Sequence, residues 1–166
     1  VVGVAYQWLI GHDGAAYYTP PEVAGAMAAL SVGPQLDRLS AFPDPASVLG
    51  VLAVDPSCGA GVFLVAAART IAARYAERLC GVATQQTTAI VMPEVMAECI
   101  FGIDIDPAAV DLARAALWLE VRGQPIGFMD RNVICADPLS APGVQPPKLA
   151  ERLAETTPYT ESRVSP

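Results

Sequence analysis

One stretch constrains the fold of this chain more than any other. A short apolar run, Val48 to Val54, stops at Asp55-Pro56-Ser57-Cys58-Gly59-Ala60-Gly61 and gives way at once to a helical pattern. The run is rich in β-branched residues and reads as a buried strand, and the Asp/Pro/Ser/Gly cluster reads as the turn that closes it. From Val62 to Cys80 the residues Leu64, Ala67, Ala68, Ile71, Tyr75 and Leu79 recur at helical spacing, with Arg69 and Glu77 on the far side and Gly81 as the stop. Strand, glycine turn, helix is the opening unit of an α/β sheet.

The unit then recurs. Cys99 to Ile103 reads as a second strand, ending in Asp104-Ile105-Asp106-Pro107. Pro107 starts a helix striped by Val110, Ala113, Leu117 and Val121; Leu112 and Leu119 lie off the stripe, so this helix is expected to touch more than one neighbour. Asn132 to Ala136 reads as a third strand, stopping at Asp137. Upstream, Thr19-Pro20-Pro21-Glu22 has the threonine cap, first-turn proline and early acid of a helix start, which predicts a helix over 21–31 and a connection over 31–47. Residues 82–98 are polar at first, with at most a brief helix over 93–98. The expected fold is an incomplete parallel sheet of about three strands alternating with helices.

Composition removes several function classes. Ten Lys+Arg against seventeen Asp+Glu leave a net charge of −7, so no basic footprint for a phosphate backbone is present in these residues. The longest uncharged stretch, 79–93, falls short of the roughly 18 apolar residues of a membrane span. No basic secretory start opens the chain, and Cys58, Cys80, Cys99 and Cys135 form no CxxC pair, so the expectation is a cytoplasmic protein with reduced thiols and no metal site. Six prolines fall between 138 and 166 among few large apolar residues, which reads as a disordered or truncated tail with at most a short helix over 148–154.

In parallel sheets, ligands sit beyond the carboxyl ends of the strands, and Asp55, Asp104 and Asp137 each fall at such an end. Gly59 and Gly61 let the backbone approach a ligand at a helix start, where free amides favour an anionic group. An acid closing the second strand suits the two hydroxyls of a ribose, and one closing the third could accept from an adenine amine. Spacing alone is a weak signal. The third glycine of the dinucleotide fingerprint is missing, and Asp104 lies much further from Gly61 than the ~20 residues expected, which disfavours NAD. Cys58 at a helix start is a conceivable nucleophile, but His12 is the only histidine, and the plainer reading is a small residue packed under the loop. Asp106 reads as a helix-start acid.

These residues also carry a resemblance. Asp55-Pro56-Ser57-Cys58-Gly59-Ala60-Gly61-Val62-Phe63-Leu64 resembles the cofactor loop, D-P-[AS]-C-G-[SA]-G-x-[FL]-L, of the amino methyltransferases that modify adenine N6 in DNA. Tyr17-Tyr18-Thr19-Pro20-Pro21-Glu22-Val23 resembles their Y-T-P-x-x-[LIV] element, and Gly102-Ile103-Asp104-Ile105-Asp106-Pro107 their G-x-[DE]-[ILV]-[DN]-P element. The likeness covers about residues 14–139 and is strongest to the large adenine-specific enzymes of restriction-modification systems.

The resemblance implies a Rossmann-like S-adenosylmethionine-dependent methyltransferase fold. It divides the chain into an N-terminal segment (1–20) carrying the Tyr-Thr-Pro element, a cofactor-binding half (21–139) and the tail (140–166). Tyr18 and Thr19 would hold the methionine end of S-adenosylmethionine, with Asp55, Pro56, Cys58, Phe63 and the Gly59–Gly61 backbone beneath it. Asp104 would bind the ribose, Ile105 would pack on the adenine ring, and Asp137 would accept from its amine. The family's catalytic [DNS]-P-P-[YFW] element is absent, the nearest strings being Gln145-Pro146-Pro147-Lys148 and Thr157-Pro158-Tyr159. No catalytic residue is therefore assigned, and DNA would be engaged only through regions supplied elsewhere. The other readings are a non-catalytic or split subunit of a restriction or phage-defence complex, and a methyltransferase acting on protein or a small molecule. In this fold one edge of the first strand would lack its neighbour, so self-association, a partner subunit or further chain is expected to cover it.

Overall fold

The computed structural model describes residues 19–121, 127–140 and 144–156. Its centre is a three-stranded parallel sheet of β1 (Ala53–Asp55), β2 (Ile100–Asp104) and β3 (Val133–Cys135), in the order β1-β2-β3. Ala53 faces Ile100 across the first pair, and Gly102 faces Val133 across the second. β2 is therefore central and buried through Ile103, whereas β1 is an edge. The helices are α1 (Pro21–Leu39), α2 (Val62–Cys80), α3 (Gln85–Cys99), α4 (Pro107–Glu120), the four-residue α5 (Met129–Asn132) and α6 (Pro147–Thr156). No helix among the described residues is long and apolar enough to cross a membrane.

Local chemistry explains where the elements depart from their expected bounds. α1 does not stop at 31 but runs to Leu39, carrying Gly33 and Pro34 inside it. Its buried residues Ala24, Ala28, Val32 and Leu36 keep a spacing of four straight past Pro34, so packing against α2 outweighs one lost backbone bond. Thr19 does not cap this helix: Pro20 stands at the N-cap with no side-chain hydrogen bond. The expected strand over 48–54 shrinks to Ala53–Asp55, because Pro45–Gly50 coil into a 3-10 helix whose start is capped by Asp44, accepting from the Ala46 N–H at 2.9 Å. Val48 is still fully buried, so its apolar character is spent in the core and not in the sheet.

The segment expected to be mostly irregular is α3. Thr84 and Thr87 form a reciprocal capping box at its start, and Val91, Met92, Val95, Met96 and Cys99 are buried between α2 and the 3-10 helix. Beyond 140, α6 is anchored and not loose. Leu149 is buried, Lys148 and Arg152 both pair with Glu98, and Arg152 donates to the Leu49 carbonyl at 2.6 Å.

α2 and α4 pack against each other, and Gly61, the N-cap of α2, lies tight against Ala113 of α4. A Cβ there would stand 3.0 Å from the Ala113 Cα, and φ is +81°. Gly61→Ala combines a backbone clash with left-handed strain and is expected to lower stability by about 2–4 kcal/mol. A thermal melt compared with Gly81→Ala, where φ is positive but nothing lies within 4 Å, isolates the clash.

Candidate functional site

The parallel pairing brings Asp55, Asp104 and Asp137, at or just beyond the strand ends, to one rim. The register staggers them: Asp55 lies level with Gly102, two residues short of Asp104, and Asp104 lies level with Cys135, two residues short of Asp137, so the acids step diagonally along that rim. A single carboxylate organises the turns between them. Asp104 accepts the Gly59 N–H at 2.7 Å through one oxygen and the Asp106 N–H at 3.0 Å through the other. It thereby ties the glycine turn after β1 to the turn after β2.

Each remaining position is fixed by short-range bonds. Asp55 accepts the Ser57 N–H at 3.0 Å, and its carboxyl is held above the ordinary range mainly by burial, with the Asp104 charge adding to it and the Ser57 bond opposing. Cys58 donates its N–H to the Ile103 carbonyl at 2.9 Å, which stitches the turn onto β2. Gly59 and Gly61 both have positive φ, and Gly61 opens α2. Phe63, half-buried in the first turn of α2, lines the groove along the outer edge of β1. Pro56 is exposed at the crest of the turn.

On the other side of the rim, Ile105 is 68% exposed although it follows a strand buried through Ile103, leaving an apolar side chain at the lip. Asp106 accepts from the Ala108 N–H at 2.9 Å as the N-cap of α4, the helix-start role its sequence suggests. Asp137 accepts the Leu139 N–H at 2.9 Å and is half-buried. Thr19 is half-buried at the entry to α1. Tyr18 lies outside the described residues.

The thiol of Cys58 points down and not out. A Cβ on Gly102 would come within 3.1 Å of its sulfur, so the side chain packs beneath the turn against β2. Burial, with Asp55 and Asp104 adding to it, pushes that thiol up to about 12, the reverse of what a nucleophile needs. The thiol is therefore turned away from the rim, and the Cys58 backbone is itself engaged, its N–H by the Ile103 carbonyl and its carbonyl by the Gly61 N–H at 2.8 Å. Cys99 is likewise raised to about 12, chiefly by burial. Alkylation with iodoacetamide at pH 8 is thus expected to label the exposed Cys80 and Cys135 quickly and the other two only on unfolding, as counted by mass spectrometry. Both raised values have the same sign for stability: it is kept below pH 9, where all states hold the proton, and falls from pH 9 towards 12 as the unfolded thiols ionise.

The electrostatic character of the rim is one-sided. Residues 55–61, 104–107 and 136–140 contain four aspartates and no lysine or arginine. The rim can accept hydrogen bonds from hydroxyls and amines and attract cations. It offers a phosphate only the orphan amides at the start of α2. Among the described residues, no group of three or more His, Cys, Asp or Glu is placed to hold a metal ion.

One polar residue escapes sequence inspection. Asn132 is 1% exposed, and its amide nitrogen lies 3.0 Å from each of the Met96, Ala97 and Ile100 carbonyls. It closes the carboxyl end of α3 onto β2, and a lone asparagine before a strand carries no pattern that would reveal this. Comparison with family models, with curated proteins and with solved structures yields no match.

Proposed function

We propose that this chain is the S-adenosylmethionine-binding part of a site-specific DNA adenine-N6 methyltransferase with a Rossmann-like fold, inactive alone because it lacks the catalytic Asn-Pro-Pro-Tyr element. The observation that carries this reading is the acid-only rim around a glycine turn. S-adenosylmethionine has a sulfonium, an ammonium and two ribose hydroxyls but no phosphate, so a rim of aspartates without a cation suits it. The same rim opposes the pyrophosphate of a dinucleotide.

The residues present fit such a molecule. An ionised carboxylate has about four acceptor positions, and Asp104 uses one on each oxygen for the turns. One lone pair on each oxygen is left for the two ribose hydroxyls. The exposed Ile105 offers an apolar surface to a purine ring, and Asp137 an acceptor for its amine. Asp55 and the start of α2 bracket the amino-acid arm, the acid facing the ammonium and the helix amides the carboxylate. The bound molecule would supply an electrophilic methyl group; this part of the chain holds and orients it.

The test is calorimetry with S-adenosylmethionine, S-adenosylhomocysteine and NAD in parallel. Binding of the first two without NAD supports the reading, and binding of NAD alone reverses it. A split-subunit role is favoured if turnover on DNA appears only when a second polypeptide bearing an Asn-Pro-Pro-Tyr element is added.

A further inference from the structure

α1 is fastened at one end only. Arg74 of α2 donates to Asp37 at 3.0 Å and to Ser40 at 3.1 Å, and the Leu39 carbonyl accepts from Arg78 at 3.1 Å and from Ser47 at 3.0 Å. Leu36 is buried in the same half. The amino half is held by two methyl groups: Ala24 and Ala28 are the buried residues of 21–30, while Val23, Met27 and Leu30 are exposed. A buried methyl contributes far less than a buried Leu or Val side chain. Glu22, the one polar side chain of residues 21–30, makes no hydrogen bond or ion pair to another described element, and the N-cap has no side-chain hydrogen bond.

Between the two halves the helix is weakened at neighbouring residues. Pro34 has no N–H, so the Leu30 carbonyl goes without its intrahelical bond, and the proline ring crowds it. Ser31 bonds back through its hydroxyl to the Met27 carbonyl at 2.8 Å and the Ala28 carbonyl at 3.2 Å, a pattern that bends helices. A Cβ on Gly33 would meet nothing within 4 Å, so no neighbour braces the chain at that point.

The loose half overhangs the rim. Leu39 lies 3.7 Å from a Cβ built on Gly50, so the carboxyl end of α1 sits at the entry to β1. Met27 lies about 18 Å back along the helix, where it lines one groove with Asp55 and Phe63, and Pro21 lies about 9 Å further on. The first turns of α1 therefore project past the end of β1, on the side of Asp55 and the glycine turn. We infer that α1 is a hinged lid: residues 21–32 pivot at Gly33-Pro34 and close over the amino-acid end of the rim when S-adenosylmethionine binds. The lever from Pro34 to Pro21 is about 20 Å long, so a bend of about 20° moves its tip by about 7 Å. Thr19, half-buried at the helix entry, travels with the tip. The moving turns lie beyond the strand, so the outer edge of β1 stays free for the strand that would bear the catalytic element. The lid rests on the cofactor reading for its ligand.

Distances between nitroxide labels test it. In a Cys80→Ser, Cys135→Ser background the buried Cys58 and Cys99 stay unlabelled, and a label at Asp111→Cys on α4 is paired with one at Glu22→Cys or at Gln35→Cys, all exposed positions. In the free chain the Glu22→Cys distance distribution is expected to be about twice as wide as the Gln35→Cys one, and to narrow about two-fold with saturating S-adenosylhomocysteine. It should also narrow without ligand in Pro34→Ala, where the Leu30 carbonyl regains a donor. The Gln35→Cys distribution should stay as it is throughout. Equal widths in the free chain overturn the inference. So does a Glu22→Cys distribution that stays wide while calorimetry on the same sample shows S-adenosylhomocysteine bound. Absence of binding heat overturns the cofactor reading and the lid with it, and the titration tells that result from the other two.

Discussion

Asn132→Asp is expected to lower stability by about 3–5 kcal/mol, enough to drop the melting temperature by roughly 10 °C in a domain of this size. The amide nitrogen now serves three carbonyls at 3.0 Å, two of them in the last turn of α3 and the third on β2. Aspartate has the same shape but no donor when ionised, so a buried charge would face three carbonyl oxygens. Asn132→Ala removes the donors without adding charge and should cost less, about 2–3 kcal/mol. If both variants melted like the parent, Asn132 would not be joining α3 to the sheet.

Asp104→Ala should have the largest effect on ligand binding. Its carboxylate holds Gly59 and the turn before α4, and bonds to a charged acceptor of this kind contribute about 1.5–3 kcal/mol each. Losing them frees the glycine turn and removes the acceptor assigned to the ribose, so S-adenosylmethionine affinity should fall by at least about 100-fold. Asp104→Asn separates the two roles, because its oxygen keeps one turn bond while its NH₂ group opposes the other donor. It should retain most of the melting temperature but still lose roughly ten-fold in affinity. Asp106→Ala, which removes the cap of α4, should cost about 1 kcal/mol of stability and leave affinity within about two-fold.

What could be read in advance follows from which features are local. The glycine turn, α2 with its Gly81 stop, the Asp106 cap and the three strand-end acids all depend on residues adjacent in sequence, and they stand where the pattern places them. α1 crosses Gly33-Pro34 because its buried face continues on α2, a tertiary effect that propensity cannot anticipate. α3 was obscured because two threonines cap it and its apolar residues serve two partners, which blurs the one-sided stripe. The first strand starts later than its apolar run for the opposite reason: Val48 and Leu49 are apolar like strand residues, but Asp44-Pro45 starts a 3-10 turn that buries Val48 by another route. The Asn132 latch and the Asp104 clamp bring together residues 32–36 and 45 positions apart, respectively, and only the folded sheet reveals them.

Isothermal titration of the purified chain with S-adenosylhomocysteine, repeated with Asp104→Asn and Asp106→Ala, tests the cofactor reading most directly. One site per chain, weakened by the first substitution and unchanged by the second, is the predicted result. Saturable binding that ignores Asp104, or no heat at protein concentrations well above micromolar while the chain melts cooperatively, would contradict it.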